Sequence, residues 1–277
     1  MRLYVSCDME GTAGICSWMQ CDPSNRYEYP VYRRYMMKEV RAAIDGARSA
    51  GANDVVVNDS HWDMRNILWD ELPSDVRVIS GSRKPNSMTQ GLQPGFGGAF
   101  FTGYHAAIGV ENGVLAHTYT GDSVYNVRMN GLACSEALLN AAMCGYYGIP
   151  LLLLTGDSVV CKHINEHMPW VTTVVVKEGI GHYATDSLTP RAAQDLIREG
   201  AAQAIRDASK AEIFTFKSPV TMELEMTRIE QADFVELMPG FIRTGGRTLT
   251  FEHQDYAMVF RAFVAAYRLA SAATPVA

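Results

Sequence analysis

No apolar run in this chain comes near the roughly 20 residues that a bilayer-spanning helix needs; the longest, such as Ile149 to Leu154, are a fraction of that. The N-terminus lacks the basic start, apolar stretch and small-residue cleavage site of a secretory leader, so a soluble cytoplasmic protein is expected. Cysteine is sparse: Cys7, Cys16, Cys21, Cys134, Cys144 and Cys161 form no CxxC pair and sit mostly in apolar surroundings. Neither a zinc ribbon nor a disulfide framework is indicated, and most are expected to be small buried hydrophobes. There is no excess of positive charge, the formal net charge being −6, and no Lys/Arg cluster. Nucleic-acid binding is not expected. No strand is followed by GxGxxG and there is no P-loop, which argues against a nucleotide cofactor. Internal repeats, low-complexity tracts and flexible linkers are missing as well.

What remains is an ordered globular composition, 48% hydrophobic and 19% charged, in 277 residues. That length suits one large domain or a core with a smaller lobe. The chain begins with Leu3 Tyr4 Val5 Ser6 Cys7 Asp8 Met9 Glu10 Gly11, an apolar run ending in two carboxylates. It reads as a buried strand whose C-terminal end opens into a polar crevice, where ligands of open α/β sheets bind. If the strand persists through Glu10, alternation puts Asp8 and Glu10 on one side, able to share a cation.

A polar and aromatic loop over Thr12 to Tyr27 then leads to a helix from about Pro30 to Gly51. Asp54 to Asp59 reads as a second strand, buried on both faces and parallel to the first, ending in Asn58 Asp59 Ser60 His61. Trp62 to Leu72 and Pro85 to Leu92 suggest helices, with a short strand at Val76 to Ser80 between them. Ala99 to His105 forms a third apolar strand and Gly113 to Thr118 a fourth. Val124 to Met129 with Asn130 Gly131 resembles a hairpin with a type I′ turn. A helix over Leu132 to Tyr147, a strand over Leu151 to Thr155, a helix from Ser158 to His167, a strand over Val171 to Val176 and a long helix from Pro190 follow. This alternation predicts an α/β fold, a mostly parallel sheet flanked by helices in three layers (α/β/α) over residues 1–210. Residues 211–277 read as a smaller C-terminal α+β lobe packed on the core. There Val220 to Met226 alternates as a half-wet strand, Gln231 to Leu237 is a short helix, strands surround Gly245 Gly246, and Tyr256 to Ala270 is a terminal helix.

Asp8, Glu10, His61, His105 and Glu136 stand where such an architecture places functional groups. Carboxylates with imidazoles suit zinc, or manganese or cobalt by availability. One metal would leave a ligand spare; two bridged by a carboxylate, Asp8 being the best placed, would use all five. Each residue has an ordinary alternative: a cap or structural hydrogen bonder for His61, a satisfied near-core histidine for His105, a surface acid for Glu136. Asp59 is a candidate to orient a ligand imidazole or to cap the next segment, Asp157 a helix cap, and His163, His167, His182 and His253 surface or structural residues.

The D-x-E-G of Asp8 to Gly11, Asn58 Asp59 Ser60 His61, Gly103 Tyr104 His105, Gly113 to His117 and Glu136 together resemble the zinc-dependent D-aminopeptidases of peptidase family M55. The likeness runs over nearly the whole chain, including Leu237 Met238 Pro239 Gly240, and departs from the family at Ala133 Cys134 Ser135. It implies a pair of zinc ions held by Asp8, Glu10, His61, His105 and Glu136 with the aspartate shared, and His117 as nucleophile. It further implies a cytoplasmic homo-oligomer, a ring-like decamer with active sites facing an inner chamber, acting on short peptides with an N-terminal D-residue such as D-alanine. From the residues alone, His117 could instead serve as general acid to the leaving amine with metal-bound water attacking. Two other functions fit the same residues: a metal-dependent hydrolase of another amide or a phosphoester, and a non-catalytic dipeptide-binding protein associated with transport. The scarcity of Lys and Arg near the ligand segments counts against phosphate.

Overall fold

The chain starts with β1 (Arg2–Cys7), a short helix α1 (Trp18–Cys21), the long helix α2 (Tyr29–Ser49), β2 (Asp54–Asp59), β3 (Arg77–Ile79) and β4 (Gly98–Tyr104). Next come β5 (Val124–Met129), β6 (Leu132–Ala133), α3 (Glu136–Tyr146), β7 (Leu151–Asp157), α4 (Ser158–His167), β8 (Thr172–Gly181), β9 (Ala184–Ser187) and α5 (Pro190–Arg206). The last part holds β10 (Val220–Met226), α6 (Ile229–Glu236), β11 (Ile242–Arg243), β12 (Thr248–His253) and α7 (Tyr256–Ala272). These elements come from a computed structural model that describes residues 1–273; residues 274–277 of the expected lobe lie outside it.

β1 is near the middle of a seven-stranded sheet ordered β3-β2-β1-β4-β7-β8-β9. All neighbours in it are parallel except β9, which returns antiparallel along β8. Side-chain alternation divides the strands between two cores. Leu3, Val5, Val57 and Phe100 pack with α2 and α5, while Tyr4, Val56, Phe101 and Leu154 pack with α3, α4 and α7. Both sheet faces are therefore covered, which is why β1, β2, β4 and β7 read as almost unbroken apolar runs. The chain leaves β1 for β2 and β3 on one side, then crosses back to β4 on the other, so the strand order reverses at the β1/β4 boundary, where crevices form in such sheets.

A second, antiparallel sheet is ordered β11-β12-β10-β5-β6. Along β10 the alternating Val220, Met222, Leu224 and Met226 are buried in the α3/α7 core and the residues between them are not, as the binary pattern requires. β5 and β6 form the expected hairpin, with Asn130 and Gly131 both at positive φ in its turn. This sheet draws on chain from both sides of residue 210.

Several expected elements take another form. β1 ends at Cys7, so strand alternation does not set Asp8 and Glu10. Trp62 to Leu72 is not a helix: Trp62 and Met64 have φ of 51° and 59°, and only Trp69–Glu71 makes a 3₁₀ turn. The buried Asp59 carboxylate accepts the Asn66 and Ile67 backbone N–H groups and the Asn66 amide. Those donors are thereby lost to helical carbonyls. Pro85 to Leu92 yields a single 3₁₀ turn, Ser87–Thr89, although Met88 is buried as expected. Gly113 to Thr118 is not a fourth strand; its Leu115 has φ 50° and donates its N–H to the His182 carbonyl. Val114 and Leu115 are fully buried, so the apolar run marks burial under the β8/β9 hairpin rather than a place in the sheet. The helix expected from Leu132 starts only at Glu136, after β6 and a Ser135 N-cap.

Two glycines let backbone segments touch beneath the crevice. A Cβ on Gly11 would lie 1.8 Å from the Tyr104 carbonyl oxygen, and one on Gly103 (φ +70°) 2.3 Å from that of Asp8. Gly11→Ala must push β4 from the loop after β1, whereas Gly246→Ala meets nothing within 4 Å. Urea unfolding is expected to show Gly11→Ala destabilised by about 1–3 kcal/mol or more and Gly246→Ala changed by no more than about 0.5 kcal/mol.

Candidate metal centre

Register brings the site residues to one level. Cys7 of β1 is paired with Asp59 of β2 and Thr102 of β4, and Asp8, His61 and His105 follow one, two and three residues later. Glu136 arrives from elsewhere, as the first residue of α3, held by its Ser135 cap. His117 lies on the loop between β4 and β5. All five residues expected to bind metal meet here, and His117 joins them. Ligand atoms of Asp8, Glu10 and His105 lie within 4.8 Å of one another, as do those of His105, His117 and Glu136, and those of Glu10, Cys21 and His61. Asp8, Glu10, His61, His105 and Glu136 are each at most 3% exposed. The ion-pair contacts of the three carboxylates are all with imidazoles, none with Lys or Arg among the described residues.

The imidazoles are oriented by the backbone. A carbonyl oxygen can only accept, so the ring nitrogen facing it carries the proton. His105 Nδ1 donates to the Ala106 carbonyl at 2.9 Å and His117 Nδ1 to that of Leu115 at 2.9 Å. Each ring thus turns Nε2 inward: His105 Nε2 is 3.4 Å from Asp8 Oδ2 and 3.6 Å from Glu136 Oε1, and His117 Nε2 is 3.7 Å from Glu136 Oε1. His61 is reversed. Its Nε2 donates to the Cys21 carbonyl at 2.8 Å, which directs Nδ1 to Glu10 Oε2 at 2.9 Å and Asp8 Oδ1 at 3.4 Å. Asp8 accordingly presents one oxygen to each of two histidines. The His105 and His117 rings stack, 4.2 Å between centroids and 7° between planes. Asp8 Oδ2 and His105 Nε2 are buried with no hydrogen-bond partner, although they face each other. Buried polar atoms rarely go unpaired, and two orphaned donor atoms aimed at one point mark a place for a cation.

The electrostatics agree. Burial alone would lower both imidazoles, yet Glu10 and Asp8 hold His61 well above its usual range, and Glu136 with Asp8 lifts His105 to about 10. Burial raises Glu136 to about 8 against the opposing charge of His105. For Glu10, burial is outweighed by His61, and the carboxyl is held well below its usual range. The cluster therefore pulls in positive charge, as protons or as metal. His117 differs: burial and the charge of His105 push it down to about 4, so its Nε2 keeps a free lone pair at neutral pH.

The carboxylates and His117 open on a cavity of about 760 Å³, walled also by Trp18, Tyr119, His182 and Arg268. Trp18 sets its edge on the His117 ring, 5.2 Å away. His182, expected at the surface or in a structural role, stands on this wall. Asp59 orients no imidazole directly; it holds Asn66, whose amide donates to the His61 carbonyl, and so fixes the turn that carries His61. Asp157 caps α4 as expected, accepting the Val159 and Val160 N–H groups.

Sequence reasoning missed Lys177. Its ammonium, fully buried beneath the loop after β1, donates to the carbonyls of Glu10, Thr12 and Ile15. A lysine at the end of the Val174–Val176 run was the available signal, since a charge in a buried strand needs partners. Glu39 of α2 braces the same loop by accepting the Ala13 N–H.

A family model, Peptidase M55, described as D-aminopeptidase, matches residues 1–265. The D-aminopeptidase of Bacillus subtilis (strain 168) is 35% identical over 274 residues, 98% of this chain and 98% of that one. The solved structure of "Zn-dependent D-aminopeptidase DppA from Bacillus subtilis, a self-compartmentalizing protease" superposes with a TM-score of 0.95 at 34% identity and covers 100% of both chains.

Glu39 gives the brace a pH dependence. Burial raises its folded-state carboxyl to about 7 from 4.5, its second oxygen having no partner. The folded state then binds the proton more tightly than the unfolded one, so this contribution to stability is full below pH 4.5 and lost as pH rises through 7. In Glu39→Gln that slope should vanish. Denaturation at several pH values is expected to show the variant gaining on the order of 2–3 kcal/mol relative to wild type between pH 4.5 and 7.5.

Proposed function

This chain belongs to the Peptidase M55 family of D-aminopeptidases, and from that premise we propose that it is a zinc metallopeptidase cleaving the N-terminal D-residue, of D-alanine type, from short peptides. Two zinc ions are proposed per subunit, held by Asp8, Glu10, His61, His105 and Glu136 with Asp8 shared. The observation that carries this reading is the buried, partnerless pair Asp8 Oδ2 and His105 Nε2 inside a set of carboxylate and imidazole donors. That donor set suits zinc, and it is unlike the closed, often cysteine-rich sites that serve structure alone. Asp8 turning one oxygen to His61 and the other to His105 supports its role between two ions. A zinc-dependent, self-compartmentalizing relative of the same fold supports both the metal and a homo-oligomeric, ring-like assembly, proposed here as a cytoplasmic decamer.

When bound, zinc in such a site supplies Lewis acidity toward the scissile carbonyl and toward water. The chain's own groups do the rest. His117 offers the cavity an unprotonated Nε2, its tautomer fixed by the Leu115 carbonyl. As proton carrier that lone pair takes a proton from the attacking water and passes it to the departing amine; as nucleophile it bonds to the scissile carbonyl carbon instead, the amine leaves with a proton from solvent, and water then cleaves the acyl–imidazole bond and frees the lone pair again. Stacking on His105 and the edge of Trp18 hold the ring in place. Glu136 is fixed by accepting the Tyr119 N–H.

Incubation with D-Ala-D-Ala and L-Ala-L-Ala, with and without chelator, tests the activity. Hydrolysis of the D-peptide alone, abolished by chelator and restored by zinc, is expected; retained metal with no hydrolysis of either would leave a dipeptide-binding protein instead. Metal analysis should give two zinc ions per chain, and a stoichiometry of one would remove the bridged pair. His117→Ala should lower turnover by about 10²–10⁴-fold with metal content unchanged.

A further inference from the structure

The cavity lining holds an arginine that the reactions above leave unused. Arg268, on α7, lines the same wall as Tyr267, Ser82 and Ser87. Its Nε is buried with no hydrogen-bond partner. Arg228, Arg243 and Arg247 in this part of the chain each hold an acid, whereas Arg268 has none among the described residues. Its guanidinium carbon lies 5.6 Å from the Tyr267 ring centroid. Tyr267 contacts Tyr119, 5.3 Å between centroids, and the Tyr119 N–H is bonded to Glu136. One pair of tyrosines thus separates the guanidinium from the carboxylate cluster. A second cation is close: the Lys84 ammonium, tied to Asn58 Oδ1 and the Asp59 carbonyl, is lowered to about 8 by burial and by the charge of Arg268. Lys84 stays behind the wall on those partners, so among the described lining residues Arg268 is the arginine or lysine that faces the cavity, together with the carboxylates of Asp8, Glu10, Asp122 and Glu136.

We propose that Arg268 is the carboxylate anchor of this site, pairing with the free C-terminal carboxylate of a short peptide whose first peptide bond lies at His117. The inference rests on the peptidase reading and narrows its substrate class to free-acid peptides of a few residues. A guanidinium presents paired donors that match a carboxylate, and the partnerless Nε is one of them. An amidated peptide would leave that donor buried and unpaired.

The test compares D-Ala-D-Ala with its C-terminal amide. In wild type the acid is expected to be favoured about 10- to 100-fold in kcat/KM, mostly through KM, as befits one charge-assisted pair. In Arg268→Met the acid-over-amide ratio should fall close to one, and Arg268→Lys should recover part of it. Calorimetric binding of both peptides to His117→Ala, which needs no turnover, should show the same preference. Equal handling of acid and amide by wild type, or a preference that survives Arg268→Met, would overturn the anchor. Should Arg268→Met fail to fold, Arg268→Lys and the wild-type comparison decide alone. Preferential binding of the acid in a protein that hydrolyses neither peptide would uphold the anchor and reject the peptidase reading.

Discussion

Three buried carboxylates with no lysine or arginine among their ion-pair partners in the described residues are the constraint around which this structure is arranged. Asp8, Glu10 and Glu136 repel one another in a medium where the repulsion is poorly screened, and only imidazoles stand between them. Every neighbouring feature makes sense as a response. Backbone carbonyls fix the proton of each histidine on its outer nitrogen, so the inner nitrogens face the acids as lone pairs or, when charged, as donors. An arrangement that concentrates negative charge and leaves two donor atoms unpaired is poised for cations rather than for its own stability.

Holding the acids there requires an unusual amount of support from outside the cluster. The loop after β1 has little regular structure of its own, and three of its carbonyls converge on the Lys177 ammonium, which approaches from β8. The same loop presses on the end of β4 so closely that only glycine fits at positions 11 and 103. On the β2 side, Asp59 and Asn66 play the matching part for the turn bearing His61. The site residues are therefore positioned by loops that buried polar groups clamp, rather than by places within strands.

The arrival of Arg268 at the cavity follows from the way two sheets share one core. α7 belongs to the part of the chain that carries the antiparallel sheet, yet its apolar face packs in the same core as α3 and the main-sheet residues Tyr4 and Phe101. Tyr267 and Arg268 thereby reach a cavity whose reactive groups come from the first half of the chain. The hairpin of β5 and β6 works in the opposite direction, sending residues 124–133 into the second sheet.

By itself the sequence determined the parallel α/β layering, the strands β1, β2, β4 and β7, the hairpin turn and the alternating strand β10. Each of these rests on a local pattern: apolar runs of strand length, a two-residue turn requiring positive φ, or strict alternation. It also singled out Asp8, Glu10, His61, His105 and Glu136, because chemically matched residues at the ends of successive segments carry information even before their distances are known, while His117 was marked by the family resemblance. Where the pattern was local but the competition was not, it misled. The periodicity of Trp62 to Leu72 loses to the buried Asp59, and the apolar run at Gly113 to Thr118 reports burial without a strand. Only the tertiary structure decided that β1 stops at Cys7, that Lys177 and Asn66 hold the loops, and that Arg268 and His182 face the cavity. Those facts depend on contacts between residues far apart in sequence, and no local periodicity records which carbonyls a distant ammonium will satisfy.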